Sequence, residues 1–395
     1  MTDNSSTVSS RAGKVSLVSF EMTTYSPMKA LGYKRKSRVC HIPTRYLSEG
    51  IVQKSDQKLQ APENFKSSKG PTITSHTFSE NLNSSLSLFI SKDQSFGNFP
   101  DSTTLTMTAD MEAAFQDLLT GKADASTAAK SITSSIMSHE GDFLDLYHDF
   151  IGQLSYYIEQ ASNTKDHERL SNLLACVASL PDAVNERPDP LKINGGAGAT
   201  IIQPGEPITI HFRLPKEHFW RDLPILGLNF REMFNGPEAY LHDHRSPASP
   251  EVAKAKWKTI NTFLAILMRD HRKDTPAVSD HVQFGFWALA WALEYSPATR
   301  IGQNVALHLP AASAWILLAG DTLRESMLEG LNGTKAWEAA NGDLRAEGRG
   351  LGAVDRERWA FWQRRFAELA DDENLDGPTR GAANSAGEWM AQRAA

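Results

Sequence analysis

The stretch Phe284-Gly-Phe-Trp-Ala-Leu-Ala-Trp-Ala-Leu-Glu-Tyr295 decides the fold, because its apolar side chains surround a helix on every side. At 3.6 residues per turn, Trp287 and Trp291 share one side, while Leu289 and Leu293 share the other. A helix without a polar face is normally enclosed by its neighbours. We therefore predict that this helix lies at the centre of a mainly helical core.

The tryptophans show where the folded part of the chain is concentrated. All nine lie between Trp220 and Trp389, and indole is the largest side chain available for burial. Apolar residues at helical spacing, with capping residues, predict helices at 109–120, 125–138, about 142–160, 165–180, 251–269, 284–295, from Pro310 towards Gly330, 356–370, and one ending at Met390. The predicted fold class is all-α, a multi-helix bundle. An α-solenoid is the alternative, although no fixed repeat period is found.

Two segments depart from this pattern. Residues 1–105 are rich in Ser and Thr and lack apolar periodicity, so we expect a disordered tail ahead of a helical domain at 106–395. Residues 182–215 form an irregular insert, in which β-branched residues on both sides of Pro204-Gly205 predict a small β-hairpin at about 199–214.

The charge distribution and the cysteine content exclude several classes of protein. Residues 1–100 carry 13 Lys and Arg against 7 Asp and Glu, so the rest of the chain is acidic and unsuited to binding a nucleic acid. Two cysteines, Cys40 and Cys176, are too few for a disulfide framework or a cysteine-based zinc site. The apolar stretches are too short to span a membrane, and no secretory signal is found. We expect an intracellular protein, cytoplasmic or nuclear, in which the basic cluster 34–38 is either an import signal or a solvated charge run.

Few residues suggest chemistry. His242 and His244 are the candidate metal ligands, because His-x-His can place two imidazoles together, with His271 or His281 as further ligands. The surrounding Asn, Gly, Pro and Ser residues favour a solvated loop instead. The glycine-rich loop 348–352 resembles a phosphate cradle, but no strand precedes it. We therefore assign no catalytic residue, no bound metal and no cofactor.

A pocket between helices is the remaining site hypothesis. Asn261 lies on the apolar stripe of its helix between Trp257 and Leu264, and a buried amide needs hydrogen-bond partners. Those partners can be structural groups of a neighbouring helix or a bound ligand. Trp257, Asn261 and Trp287 are the residues expected to line such a pocket.

The chain resembles a fungal family known only as domain of unknown function 3632. The likeness spans roughly Met111 to Met390, and both the tail and the 182–215 insert lie outside it. It rests on five strings in order, 219–227 with Arg231-Glu, 257–265, 286–294, 314–320 and 357–366. The resemblance implies an all-helical fold and a fungal origin, and it brings no activity, cofactor or catalytic residue.

The leading functional hypothesis is a non-catalytic binding or scaffold protein. Its partner would be another protein or an apolar small molecule held between helices. The alternative is an enzyme that acts on a small apolar substrate in a cavity near Trp257, Asn261 and Trp287. An enclosed cavity with converging polar groups would favour the enzyme, and an exposed apolar groove would favour the scaffold.

Overall fold

Helices form almost all of the regular structure, as the sequence predicts. The computed structural model describes residues 108–139, 143–195, 198–211, 216–244, 246–333, 335–345 and 351–393. All of these belong to one compact unit, Thr104–Ala395. The predicted tail at 1–105 and most of the glycine-rich loop at 348–352 lie outside the described residues.

Twelve α-helices follow one another along the described part of the chain. They are α1 Ala109–Thr120, α2 Ala125–Ser138, α3 Phe143–Gln160, α4 Thr164–Ala178, α5 Leu226–Met233, α6 Pro237–Leu241, α7 Pro250–His271, α8 Gln283–Leu293, α9 Arg300–Gln303, α10 Val305–Leu331, α11 Arg356–Ala370 and α12 Gly377–Gln392. A 3-10 helix, Pro276–Val282, precedes α8. The all-α fold class is therefore confirmed, with short two-stranded sheets in addition.

Local signals set several helix ends where the sequence predicts them. Thr108 caps α1 by accepting a hydrogen bond from the backbone N–H of Met111, and Gly121 ends this helix with φ 76°. Asp355 caps α11 by accepting from the backbone N–H of Arg358 at 2.8 Å. These contacts are made within a few residues, so the sequence pattern alone is enough to locate them.

The core is organised around α10 and α7, which pack along each other. Helix α8 lies against α10, and α12 covers both α10 and α11. Helix α4 packs on α2 and on α7, so the first four helices join the same core. The indole of Trp389 packs directly on Gly320, where a Cβ atom would lie 2.4 Å from the ring.

Helix α8 is enclosed by its neighbours over most of its surface. Phe286, Leu289 and Leu293 are completely buried, whereas Trp287 and Trp291 are partly exposed. Both indoles still pack against the core. The prediction of a central helix is met for the inner face, while two indoles of the outer face are partly exposed at the protein surface.

The start of α10 differs from the prediction. The helix begins at Val305, and Pro310 lies inside it rather than at its first position. Proline cannot donate the backbone hydrogen bond to Ala306, which costs about 3 kcal/mol in an open helix. Burial of Leu307 and Leu309 on either side of His308 fixes this first turn against the core and outweighs that cost.

Helix α10 also meets the length and composition expected of a membrane span, the one helix in the described ranges to do so. The sequence stretch at 311–319 alone is too short for this. Of the most apolar 18-residue window in the helix, 67% is buried inside the protein, and core helices often meet the same criterion.

The insert at 182–215 pairs differently from the prediction. Strand β2, Gly198–Ile202, forms an antiparallel pair with β1, Leu191–Gly195, which lies before it in the chain. The expected pairing across Pro204-Gly205 is therefore wrong. Residues after that turn pair elsewhere, since β3, Thr209–Ile210, pairs with β4, Glu217–His218. A third pair joins β5, Glu338–Ala340, to β6, Leu351–Ala353.

Candidate ligand-binding cleft

Two of the three expected pocket residues, Trp257 and Trp287, lie in one aromatic cluster. Trp257 is completely buried, with its ring 4.6 Å from Phe234 and stacked at 5.8 Å on Trp291. Trp287 lies on the outer side of this aromatic cluster, 6.2 Å from Phe234. None of the three clefts described on the protein is lined by Trp257, Asn261 or Trp287.

Asn261 is completely buried, and its amide group bonds to protein groups on both sides. The Nδ2 group donates to the carbonyl of Trp257 at 2.8 Å, and Oδ1 accepts from the indole Nε1 of Trp315 at 2.8 Å. Trp315 lies on α10, so this amide connects α7 to α10. These bonds fit the structural role that the sequence leaves open for Asn261.

The candidate metal ligands lie on the surface. His242 and His244 are both exposed. His281 is buried, and its Nδ1 contacts the carbonyl of Val278 at 3.0 Å. Within the described ranges, no three His, Cys, Asp or Glu side chains are placed so that they could hold a metal ion together.

A carboxylate–histidine pair lies beneath the aromatic cluster. The Nε2 of His308 is 3.0 Å from the Glu238 carboxylate, which also accepts from Asn304 at 3.1 Å. Despite burial, these bonds hold the pKa of Glu238 below its ordinary value. The second ring nitrogen, Nδ1, is buried without a hydrogen-bond partner. A substrate cannot reach that nitrogen in this conformation, so the pair connects α6 to α10 without forming an accessible acid–base site.

A second buried network holds the loop around β5 and β6. Glu294 and Arg358 are both completely buried and form a bidentate ion pair. Arg358 also donates to the carbonyls of Ala339, Ala340 and Gly352, so all five of its N–H groups are used. The Glu294 carboxylate accepts in addition from the indole of Trp362 at 2.6 Å. A buried network in which every N–H donor is used typically has a structural role.

This network positions one wall of an open cleft of about 430 Å³. The carbonyl of Glu294 accepts a hydrogen bond from the backbone N–H of Leu344 at 3.0 Å, which fixes Leu344 in the wall. The backbone of Ser296 donates to Asp343 at 2.8 Å and closes the same loop. The opposite walls come from the start of α10 and the end of α11.

Two glycines fix the segment 294–296 beside the cleft. A Cβ atom on Gly302 would lie 2.0 Å from the carbonyl oxygen of Ser296. A Cβ atom on Gly342 would lie 2.1 Å from the carbonyl oxygen of Glu294. Both distances are far inside van der Waals contact, so only glycine allows this approach. The backbone that carries Tyr295 is therefore held from two sides.

Tyr295 is the most informative residue of the cleft. Its side chain lines the cleft although only 9% of the residue is exposed. Burial raises the pKa of its hydroxyl, and the nearby charge of Glu294 raises the pKa further. Among the described residues, no hydrogen-bond partner is found for this hydroxyl. A phenol that lines a cleft and has no protein partner has its hydrogen-bonding capacity available to water or to a ligand.

The charged side chains of the cleft lie at the end of α11. Arg365 pairs with Glu368, and its Nε donates to the carbonyl of Leu293 at 3.2 Å. Asp371 and Asp372 follow the last turn of the helix. Across the cleft, Pro297 and Val305 supply an apolar surface. The cleft thus combines one phenol, apolar walls and an acidic edge.

Sequence reasoning missed this site for a clear reason. Tyr295 counts there only as the last residue of an apolar stretch, and Asp371 and Asp372 count only as part of an acidic turn. They are 76 positions apart along the chain, from 295 to 371, and only the packing of α11 beside α8 brings them together. A phenol directly after Glu294 at the end of a buried helix is the one local signal that could have drawn attention.

Comparison with known proteins gives a family and nothing further. No curated protein and no solved structure matches the chain. One family matches at residues 155–366, a shorter range than the predicted likeness, and it includes the 182–215 insert that the sequence pattern left outside. All the cleft residues named above except Glu368, Asp371 and Asp372 lie within that range. Because the match covers more than half of the chain, the protein belongs to the family described as "Protein of unknown function (DUF3632)".

Proposed function

We propose that this protein is a non-catalytic binding protein, which holds a small, partly apolar molecule in the cleft at Tyr295. The observation that carries the proposal is Tyr295, a residue that is nine-tenths buried on the cleft wall and whose hydroxyl has no hydrogen-bond partner among the described residues. A net hydrogen bond to a protein group is worth about 0.5–1.5 kcal/mol. A ligand that bonds to the hydroxyl in place of water would gain a contribution of this size.

The fixed backbone around the cleft also supports binding. The buried Glu294–Arg358 pair and the close approach of Gly302 and Gly342 hold the walls in place before any ligand arrives. A preformed site loses less conformational entropy on binding than a mobile one. The volume of about 430 Å³ lies within the range of small-molecule sites.

The lining supports binding better than catalysis. Among the described residues that line the cleft, no His, Cys, Lys or Ser is present. Catalysis by a serine, cysteine or lysine nucleophile requires such a group next to a base. The Glu238–His308 pair lies outside this cleft, and its free nitrogen is enclosed.

A fragment screen tests the proposal directly. Saturation-transfer NMR on the full chain would be run with a fragment set of mixed charge, and repeated with Val305→Phe, which fills the cleft. Val252→Phe is the matched control, because Val252 is 47% exposed on α7, on another helix. We expect fragments that bind the wild type and the control but not Val305→Phe. A screen in which no binding depends on Val305 would overturn the proposal.

A further inference from the structure

We propose that the ligand of this cleft is an organic amine with an apolar group, whose ammonium lies between the Tyr295 hydroxyl and the carboxylates of Asp371 and Asp372. This inference rests on the proposed binding function and specifies the charge of the ligand. Four observations support it: the net charge of the lining, the helix end, the phenol and the apolar walls.

The charged lining is acidic. Arg365 is the one basic side chain among the described residues of the lining, against the three carboxylates of Glu368, Asp371 and Asp372. The guanidinium is partly used, because it pairs with Glu368 and donates from Nε to the carbonyl of Leu293. The neighbouring Arg345 does not line the cleft. Asp371 and Asp372 have no counter-ion among the described residues, although Asp372 accepts two hydrogen bonds from Asn374. An anionic ligand would therefore meet two carboxylates without a counter-ion and one guanidinium that already pairs with Glu368.

The helix end increases the negative potential. Helix α11 ends at Ala370, and Asp371 is its C-cap. The C-terminal end of a helix carries a partial negative charge, which basic residues usually neutralise. The last turn of α11 contains no basic residue, and Asp371 and Asp372 follow it instead. An ammonium group at this position would neutralise both the carboxylates and the helix end.

The phenol supplies a partner that suits an ammonium. Its oxygen can accept a hydrogen bond from an N–H group, and its ring can face a cation. In the described part of the chain, the charges of Glu294, Arg358 and Asp343 act on the Tyr295 hydroxyl, and no hydrogen bond does. The phenol therefore lines the same cleft as Asp371 and Asp372, as an acceptor without a donor among the described residues.

The walls favour an organic cation over a metal ion. Pro297, Val305 and Leu369 give the cleft an apolar surface, which would pack against a hydrocarbon group. The carboxylates of the edge do not form a metal site, since no group of three potential ligands in the described ranges is suitably placed. A molecule with one charged end and one apolar end fits both parts of the lining.

Three probes of nearly equal shape distinguish the effect of ligand charge on affinity from the effect of ligand size. Isothermal titration of the full chain would use 2-phenylethylamine, 2-phenylethanol and 3-phenylpropionate, which are cationic, neutral and anionic at pH 7. We expect the amine to bind about tenfold more tightly than the alcohol, and the acid to bind more weakly than the alcohol. Raising the salt concentration should reduce the advantage of the amine.

Variants of the cleft residues show which side chains contribute to binding of the amine. Asp371→Asn with Asp372→Asn should weaken amine binding about five- to tenfold and leave the alcohol unchanged, and Tyr295→Phe should weaken the amine about fivefold. Asp280→Asn is the control for loss of an exposed charge, because the Asp280 side chain is 74% exposed and pairs with Lys335 elsewhere. Circular dichroism would check that each variant is folded.

The outcomes separate this inference from the proposed function. If the acid binds as tightly as the amine, or if all three probes bind equally, the charge of the ligand is assigned wrongly while the binding function stands. If none of the probes binds but the fragment screen finds Val305-dependent ligands, the amine class is wrong. If the screen also finds none, both proposals fail.

Discussion

Glu294 and Arg358 are joined by two parallel hydrogen bonds, from Nε to Oε1 at 2.7 Å and from Nη2 to Oε2 at 2.9 Å, and neither side chain has any exposed surface. The pair connects the end of α8 to the start of α11. The same guanidinium bonds to carbonyls of β5 and β6, so one side chain fixes two helices and a hairpin.

Removing one partner of this pair should destabilise the protein strongly. Arg358→Met leaves Glu294 buried without its counter-ion, and we expect the free energy of unfolding to fall by about 3–5 kcal/mol. Arg364→Met on the same helix is the control, because Arg364 is exposed. It should change the free energy by less than about 0.5 kcal/mol. Urea denaturation followed by tryptophan fluorescence measures both, and equal midpoints would contradict the structural role.

The two close-packed glycines should not tolerate alanine. Gly302→Ala and Gly342→Ala would place a Cβ atom about 2 Å from a backbone carbonyl, so the 294–296 segment must move. We expect a loss of about 2–4 kcal/mol for each variant. Gly381→Ala is the matched control, since no atom lies within 4 Å of its Cβ position and it lies inside α12. Alanine should raise stability there by about 0.5–1 kcal/mol. A similar change in melting temperature for all three variants would show that Gly302 and Gly342 do not hold segment 294–296 in place.

The bond between Asn261 and Trp315 can be measured by a double-mutant cycle. Asn261→Leu leaves the buried indole N–H of Trp315 without an acceptor, which we expect to cost about 1–3 kcal/mol. In the background of Trp315→Phe, which lacks this N–H, the same change should cost less. A coupling energy above about 0.5 kcal/mol in denaturant titrations is the expected result. Strict additivity would show that the bond contributes nothing to stability.

We expect a low pH to reduce the free energy of unfolding through protonation of His167. Burial lowers the pKa of this imidazole from 6.5 to about 4. Between these values the unfolded chain binds more protons than the folded protein, so the free energy of unfolding decreases as the pH falls from about 6.5 to about 4. The contribution of the residue is about 3 kcal/mol at full extent. Buried Ser171, on the same helix face, also lacks a hydrogen-bond partner for its hydroxyl.

The variant His167→Gln tests this effect, because it keeps a polar side chain that does not titrate. The difference in unfolding free energy between pH 7 and pH 4.5 should be smaller in this variant than in the wild type. His244→Gln, at an exposed histidine, should leave the difference unchanged. Identical pH profiles for His167→Gln and the wild type would refute the assignment.

Helices could be predicted from the sequence wherever short-range signals decide them. Helices α1 and α2 have the bounds that apolar periodicity predicts. The prediction failed at Pro310, because burial of the preceding turn outweighs a missing backbone bond. It also failed at Pro204-Gly205, because β2 finds its partner on the other side, in β1. Strand pairing depends on contacts that spacing alone does not reveal.

The candidate site was largely beyond sequence reasoning. The buried position of Trp257 and Asn261 followed from helical spacing, and the structure agrees with it. Spacing does not show which rings come together, and in the structure Trp257 packs on Phe234 and Trp291. The cleft arises where helices distant in sequence meet, and Tyr295 becomes notable only because no described group bonds to it.

Neighbouring positions of one short segment serve opposite sides of the protein. The side chain of Glu294 is bonded inside the protein, whereas Tyr295 lines the cleft. Both side chains are positioned by the same few peptide groups. A ligand in the cleft and the Glu294–Arg358 pair would thus act on the same segment of backbone. Loss of Arg358 should then weaken the binding of a ligand that it never touches, and a bound ligand should protect the amide protons of the β5–β6 hairpin from exchange.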